Sequence, residues 1–239
     1  MNTNLIFFQR VYSYSLALLF YKQKIAGFFD INPGEVDEIY KELDRSSFTK
    51  EISKRAGVRN NFLNLSMSSV LRAPAFYAIC RILKPEIIVE TGVADGFSSA
   101  YILFALQENA KGKLYSIDLP NQPGQVLSEG KSTGWLVDAG LRSRWNLIIG
   151  SSKEKLPPLL EDLREIDIFY HDSDHSYENM MFEFTVSKKF ISPRGIIISD
   201  DVTDNKSFYD FCRVNSYRTV TLFKTGIARR SPDNVKENI

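Results

Sequence analysis

The stretch Ile87-Ile88-Val89-Glu90-Thr91-Gly92-Val93-Ala94-Asp95-Gly96-Phe97-Ser98-Ser99 decides how this chain is read. Residues 87–90 read as a strand buried on both faces, and the glycines at 92 and 96 follow at once, leading into an apolar helix. A strand, a tight turn and a helix N-terminus bring backbone N–H groups close to a ligand, because glycine permits both unusual dihedrals and close approach. Any α/β protein contains such turns, so the rest of the chain must say what this one holds.

Downstream of Pro85 the pattern alternates between strands and helices, which argues for a doubly wound, mostly parallel α/β sheet covered on both faces. Strands are expected at Ile87–Glu90, Leu114–Asp118, Asn146–Ile149, Ile166–His171, Gly195–Ser199 and Arg218–Phe223. Helices are expected at Ser98–Asn109, Leu136–Leu141, Lys153–Leu160, Tyr177–Phe190 and Ser207–Val214. Lys224-Thr225-Gly226 reads as a hairpin turn into a last strand at Ile227–Arg229, antiparallel because so tight a link cannot make a parallel crossover.

Upstream of Pro85 the chain reads as mainly helical. Asn32-Pro33 starts a helix running to Leu43, with Asn32 as N-cap and proline at the first position. Ser47–Ala56 reads as a second helix stopped by Gly57, and Ser68–Leu83 as a third, after a polar stretch at Arg59-Asn60-Asn61. Residues 5–21 are apolar and aromatic, but their longest uncharged run is eleven residues, short of the roughly 20 that span a bilayer. Packing on the core or on a second copy of the chain is the expected use; peripheral membrane contact is the alternative.

Composition excludes little but points away from some classes. Thirty Lys and Arg nearly balance 29 Asp and Glu, so no global field attracts nucleic acid, and none is expected as a partner. Cys80 and Cys212 lie in apolar segments without metal or redox spacing, as expected of reduced core residues in a cytoplasmic protein.

Ligands of doubly wound sheets bind beyond the carboxyl ends of the strands, where strand order reverses. Those ends are acidic here: Glu90, Asp118, Asp172, Asp200 and Asp201. Asp118, 28 residues after Glu90, is placed to accept from the two hydroxyls of a ribose, which implies a nucleoside cofactor. The turn lacks G-x-G-x-x-G and carries Glu90 and Asp95, which repel a pyrophosphate and favour the sulfonium and ammonium of S-adenosylmethionine. The alternative for Asp118 is a turn former before Pro120.

Asp172 and the pair Asp200-Asp201 end strands expected to be neighbours, roughly 4.8 Å apart, so their carboxylates should converge. Either some are protonated or a cation sits between them; an oxygen ligand set suits Mg²⁺ or Mn²⁺, which would lower the pKa of a substrate hydroxyl. The alternative is helix capping by Asp174, Ser176, Asp201 or Asp204. His175 is the first choice for the base that takes the hydroxyl proton, and Asp174 is the competitor. His171 reads as a strand-end residue oriented by a carboxylate. Ser151 and Ser152, after the third strand, are expected to cap the next helix unless they border a cofactor, and Trp135 or Leu136 is expected to cover cofactor or substrate unless Trp135 is core.

Over residues 70–230 the chain resembles the class I S-adenosylmethionine-dependent methyltransferases: residues 90–96 match their acidic-Gly-x-Gly-x-Gly loop, with Ala94 for the middle glycine. Residues 134–137, 171–178 and 199–202 look like methyltransferase family 24, which includes O-methyltransferases acting on sugars and other hydroxylated natural products. The resemblance implies a seven-stranded Rossmann-like sheet; the methyltransferase domain is placed at residues 67–239, and the helical N-terminal extension at residues 1–66 is expected, from its apolar aromatic content, to be a lid or dimer contact. The resemblance further implies a methyl donor held at Glu90, Gly92, Ala94, Gly96, Ser98, Asp118, Ser151, Ser152 and Asp172. In metal-dependent members it carries the metal-ligand role onto Asp172, Asp200 and Asp201. A hydroxylated small molecule (sugar, phenol or glycan) is the expected substrate and a homo-oligomer the expected assembly. The rival readings are an NAD-type oxidoreductase and a non-catalytic binding protein that keeps the fold.

Overall fold

Ile87–Thr91 forms β1, an inner strand of the sheet, and its neighbours on either side come from different parts of the chain. The computed structural model describes residues 18–57, 67–120, 127 and 130–231, the side chains of 67–71 excepted. Its strands are β1, β2 (Lys113–Asp118), β3 (Trp145–Ile149), β4 (Ile166–His171), β5 (Ile191–Ser199), β6 (Tyr217–Leu222) and β7 (Thr225–Arg230). They form one seven-stranded sheet in the order β3-β2-β1-β4-β5-β7-β6. From β1 the chain goes to β2 and β3 on one side and then returns to β4 on the other, so the order reverses between β1 and β4.

Pairing is parallel from β3 through β5, and only β7 runs against its neighbours. The tight turn after Leu222 therefore makes the antiparallel hairpin expected from Lys224-Thr225-Gly226, and it also wedges β7 between β5 and β6. The helices are α1 (18–29), α2 (Pro33–Arg45), α3 (Phe48–Arg55), α4 (Met67–Leu83), α5 (Phe97–Glu108), α6 (Ser152–Leu163), α7 (Tyr177–Ser187) and α8 (Ser207–Val214). Asn32 caps α2 by accepting from Gly34 N at 2.7 Å, with Pro33 at the first helical position as expected.

Alternation along the strands splits the core in two. Ile88, Tyr170, Ile196 and Ile198 face a cluster built with α1, α2, α4 and α5. Val89, Phe169 and Ile197 face a second cluster with α6, α7 and α8. Tyr21, Ile25, Val36 and Tyr40 of the N-terminal helices belong to the first cluster, so these helices share the core of the sheet domain.

One expected helix is not formed. Leu136–Leu141 is replaced by turns and a 3-10 helix at Ala139–Arg144. Two backbone N–H groups there are used elsewhere: Gly134 N donates to Ala94 O at 2.8 Å and Leu136 N to Asp95 O at 3.0 Å. Asp138 then acts as an N-cap, accepting from Gly140 N at 2.8 Å, so helical structure starts only after it. Arg55 of α3 pairs with Asp138 and donates to Leu136 O at 3.3 Å, tying the N-terminal helices to this segment.

No helix among the described residues is long and apolar enough to cross a membrane. Residues 5–17 of the apolar N-terminal segment, the polar stretch at 59–61 and the tail from 232 lie outside the described residues.

Candidate active site

The cleft at the reversal point is organised by Gly92. Its φ is +86°, and a Cβ there would collide with the carbonyl of Asp172, so β1 and β4 can end this close together only because residue 92 is glycine. The turn continues through Ala94, a non-glycine residue at φ 49°. Val93 N and Ala94 N both donate to Asp118 Oδ2, at 3.3 and 2.9 Å, and Leu119 N donates to Asp118 Oδ1 at 2.8 Å. Asp118 is thus the acceptor that holds the turn in shape.

Below the turn a cleft of about 470 Å³ is bordered by Gly92, Ala94, Asp118, Ser151, Ser152, Asp172 and Asp174 among the residues expected at the cofactor or as base. Ser151 also caps α6, accepting from Glu154 N at 3.3 Å, so both roles weighed for it coexist. Three other expected cofactor residues do not border the cleft. Gly96 is the N-cap of α5, Ser98 is buried in its first turn, and Glu90 is fully buried. Glu90 Oε2 accepts from Ser99 Oγ at 2.7 Å and Ser116 Oγ at 2.6 Å, and burial pushes its carboxyl up to about 8.

A buried network backs the cleft. Glu183 of α7 lies under its floor, accepting at Oε2 from Thr91 Oγ1 at 2.6 Å and pairing with His171 Nδ1 at 2.7 Å. Its Oε1 accepts from Ser173 Oγ at 2.8 Å and Asn179 Nδ2 at 3.1 Å. Burial opposes the charge of Glu183, but the hydrogen bond from His171 and its other donors hold the carboxyl below the usual range. His171 is therefore the strand-end residue oriented by a carboxylate that its position suggested.

Beyond Asp172 the cleft meets a charged edge. His175 Nε2 stands 3.9 Å from Asp172 Oδ1 and 3.6 Å from Asp201 Oδ2. Lys224 Nζ lies 3.0 Å from Asp201 Oδ1. Asp200 pairs with Arg72 of α4, whose Nη2 is 3.8 Å from Asp172 Oδ2. Tyr170 Oη donates to Asp172 Oδ2 at 2.5 Å; burial nevertheless raises the Asp172 carboxyl above its ordinary range, with Arg72 pulling the other way.

The divalent ion expected on Asp172, Asp200 and Asp201 is not shown by this arrangement. The three carboxylates do gather, but a guanidinium occupies the space between Asp172 and Asp200, and Lys224 takes Asp201. Among the described residues no group of three or more His, Cys, Asp or Glu side chains is arranged to hold a metal. The residues present do not fit the ion.

A nucleoside sulfonium fits the cleft better than a dinucleotide does. The turn N–H groups of Val93 and Ala94, which a pyrophosphate would need, are spent on Asp118, and the remaining wall carries Asp172 and Asp174. Sequence reasoning missed Arg72, Thr91, Asn179 and Glu183. A signal existed for Glu183: a carboxylate between Met180 and Phe184, on the helix face that packs into the core.

Strand order, the acidic strand ends and the glycine turn together define the class I methyltransferase fold. Residues 89–202 match a family model described as a methyltransferase domain, methyltransferase family 24. Residues 89–202 thus carry a methyltransferase domain, set in a sheet with the strand order of the class I S-adenosylmethionine-dependent methyltransferase fold. Among solved structures it is similar to a Geobacter sulfurreducens methyltransferase at 18% identity, covering 82% of this chain and 96% of that one, with a TM-score of 0.54. It is also similar to a Bacillus cereus O-methyltransferase in complex with S-adenosylhomocysteine (15% identity, 78% and 92% covered, TM-score 0.52). A third is the Streptomyces achromogenes O-methyltransferase TomG, in complex with S-adenosylmethionine (16%, 78% and 90%, 0.52). Among curated proteins none matches the sequence.

Proposed function

We propose that this enzyme moves a methyl group from S-adenosylmethionine to a hydroxyl oxygen of a small molecule, a sugar, phenol or glycan. One observation carries the reading: Asp172 borders the cleft on one side and faces His175 on the other, so donor and acceptor sites would share one strand end. The similar O-methyltransferases from Bacillus cereus and Streptomyces achromogenes support oxygen as the acceptor, the latter being involved in tomaymycin synthesis.

When bound, the cofactor supplies an electrophilic methyl group on a sulfonium. The protein does the rest. Asp118 has about four acceptor positions, and the turn uses three, which leaves a lone pair for a ribose hydroxyl. Gly92 and Ala94 allow close backbone approach, and Ser151 and Ser152 border the other end of the cleft. Glu90, Gly96 and Ser98 act at one remove, by holding the turn and the start of α5.

His175 takes the proton as the acceptor oxygen forms its new bond to carbon, and Asp172 and Asp201 flank the imidazolium that results. Asp174 is less suited to that role, because its carboxylate accepts from Ser176 N at 2.9 Å and Ser176 Oγ at 3.1 Å. Catalysis comes mainly from alignment of the oxygen behind the methyl group. The helices of residues 1–66 would set substrate choice as a lid or as the contact of a homo-oligomer, with residues 5–21 as that contact or as a peripheral membrane segment. Two buried free thiols accord with a reducing cytoplasm.

Calorimetry tests the reading. S-adenosylhomocysteine should bind and NAD should not; binding of NAD alone would establish an oxidoreductase. Cofactor binding without methyl transfer to any hydroxylated acceptor would favour a non-catalytic binding protein.

A further inference from the structure

Three carboxylates at the ends of β4 and β5 need positive charge nearby, and the chain supplies it from a distance in sequence. Arg72 lies on α4, before the first strand, with its side chain only 17% exposed. Burial opposes its charge, but Tyr170, Asp172, Asp201 and Glu90 surround it and raise its pKa further, so it stays cationic. Arg72 thus lies against Asp200 and Asp172, the His175 imidazole lies between Asp172 and Asp201, and Lys224 lies against Asp201.

A divalent ion would need the same carboxylate oxygens. Arg72 takes Oδ2 of Asp200 and approaches Oδ2 of Asp172, whereas a magnesium ligand must come to about 2.1 Å of the metal. Two like unit charges 4 Å apart repel by about 4 kcal/mol at an effective dielectric of about 20, and a divalent ion doubles this. Guanidinium and metal therefore exclude each other at this edge.

We propose that Arg72 is a positioning residue that stands in place of a divalent ion: it fixes Asp172 and Asp200 as an oriented anionic pair, and the methyl transfer is metal-independent. The proposal rests on the methyltransferase reading, but its central test does not. Mn²⁺ titrated into the full chain, with and without S-adenosylhomocysteine and followed by electron paramagnetic resonance, should show no stoichiometric uptake at millimolar concentrations. Arg72→Ala should gain Mn²⁺ affinity by about tenfold or more, because Asp172 and Asp200 lose their cation. Arg72→Lys should restore exclusion, and turnover of the unaltered enzyme should persist in EDTA.

Uptake of one Mn²⁺ per unaltered chain, or turnover abolished by EDTA and restored by Mg²⁺, would overturn the proposal. So would a folded Arg72→Ala protein that gains no Mn²⁺ affinity. If Arg72→Ala does not fold, the unaltered chain and Arg72→Lys still decide the matter. Failure of S-adenosylhomocysteine to bind would instead remove the methyltransferase reading, and the Mn²⁺ result would stand separately.

Discussion

Ala94 donates its backbone N–H to Asp118 Oδ2 at 2.9 Å while standing at φ 49°, so the residue that replaces a glycine in the cofactor turn is held there by the carboxylate at the end of the next strand. Val93 N donates to the same oxygen at 3.3 Å. Asp118→Ala leaves both N–H groups without their acceptor, at a cost of about 1–3 kcal/mol. Affinity for S-adenosylhomocysteine should fall about tenfold or more, since turn and ribose contact are lost together. Calorimetry on the folded variant checks this, and an unchanged Kd would rule out Asp118 as the organiser of the turn.

Left-handed backbone costs a residue with a Cβ roughly 1–2 kcal/mol. Ala94→Gly should therefore raise stability by about 1 kcal/mol, visible as a higher urea midpoint, with cofactor affinity retained. Gly92→Ala should do the reverse, because its Cβ meets the carbonyl of Asp172, and S-adenosylhomocysteine binding should be lost. A Gly92→Ala protein that binds normally would show that β1 and β4 can separate at no cost to the cleft.

Glu90 makes stability depend on pH. Its carboxyl rises from 4.5 to about 8 in the fold, mainly by burial, so the folded state prefers the protonated form. The associated stability is fully present below the unfolded value and is lost as pH rises through the folded one. Unfolding free energy of the cofactor-free protein should decline between those limits by at most about 1.4 kcal/mol per pH unit. Glu90→Gln should flatten that decline and be the more stable protein above it, which urea unfolding across the range will measure.

Glu183 has the opposite sign. Its carboxyl is held below 4.5 by His171 and the other donors, so its contribution is present above that value and lost as pH falls through the lower folded one. Glu183→Ala strands His171, Thr91, Ser173 and Asn179 and should cost about 3–5 kcal/mol. Glu183→Gln, which keeps the shape, should unfold less steeply in acid than the unaltered chain. Equal acid sensitivity of the two would place the titrating group elsewhere.

Much of the fold was legible in particular residues. Gly92 after a strand, Asn32 before Pro33, and Lys224-Thr225-Gly226 between two strand runs act through local backbone sterics and capping, which neighbouring residues dictate. The helix expected at Leu136–Leu141 gave way to turns where Gly134 N and Leu136 N bond to Ala94 and Asp95, partners distant in sequence, and helical structure starts only after the Asp138 cap. Those contacts have no local signature, so periodicity alone favoured a helix.

The sequence by itself determined that acids end the strands of a parallel sheet, because strand length and turn residues are local properties. Which cation answers those acids was a tertiary matter. Arg72 precedes and Lys224 follows in sequence the strands whose ends they neutralise, and only packing of α4 and the β6–β7 hairpin brings them to Asp200 and Asp201. Electrostatic energy depends on distance in space, and a chain read in order carries only the charges, not the distances between them.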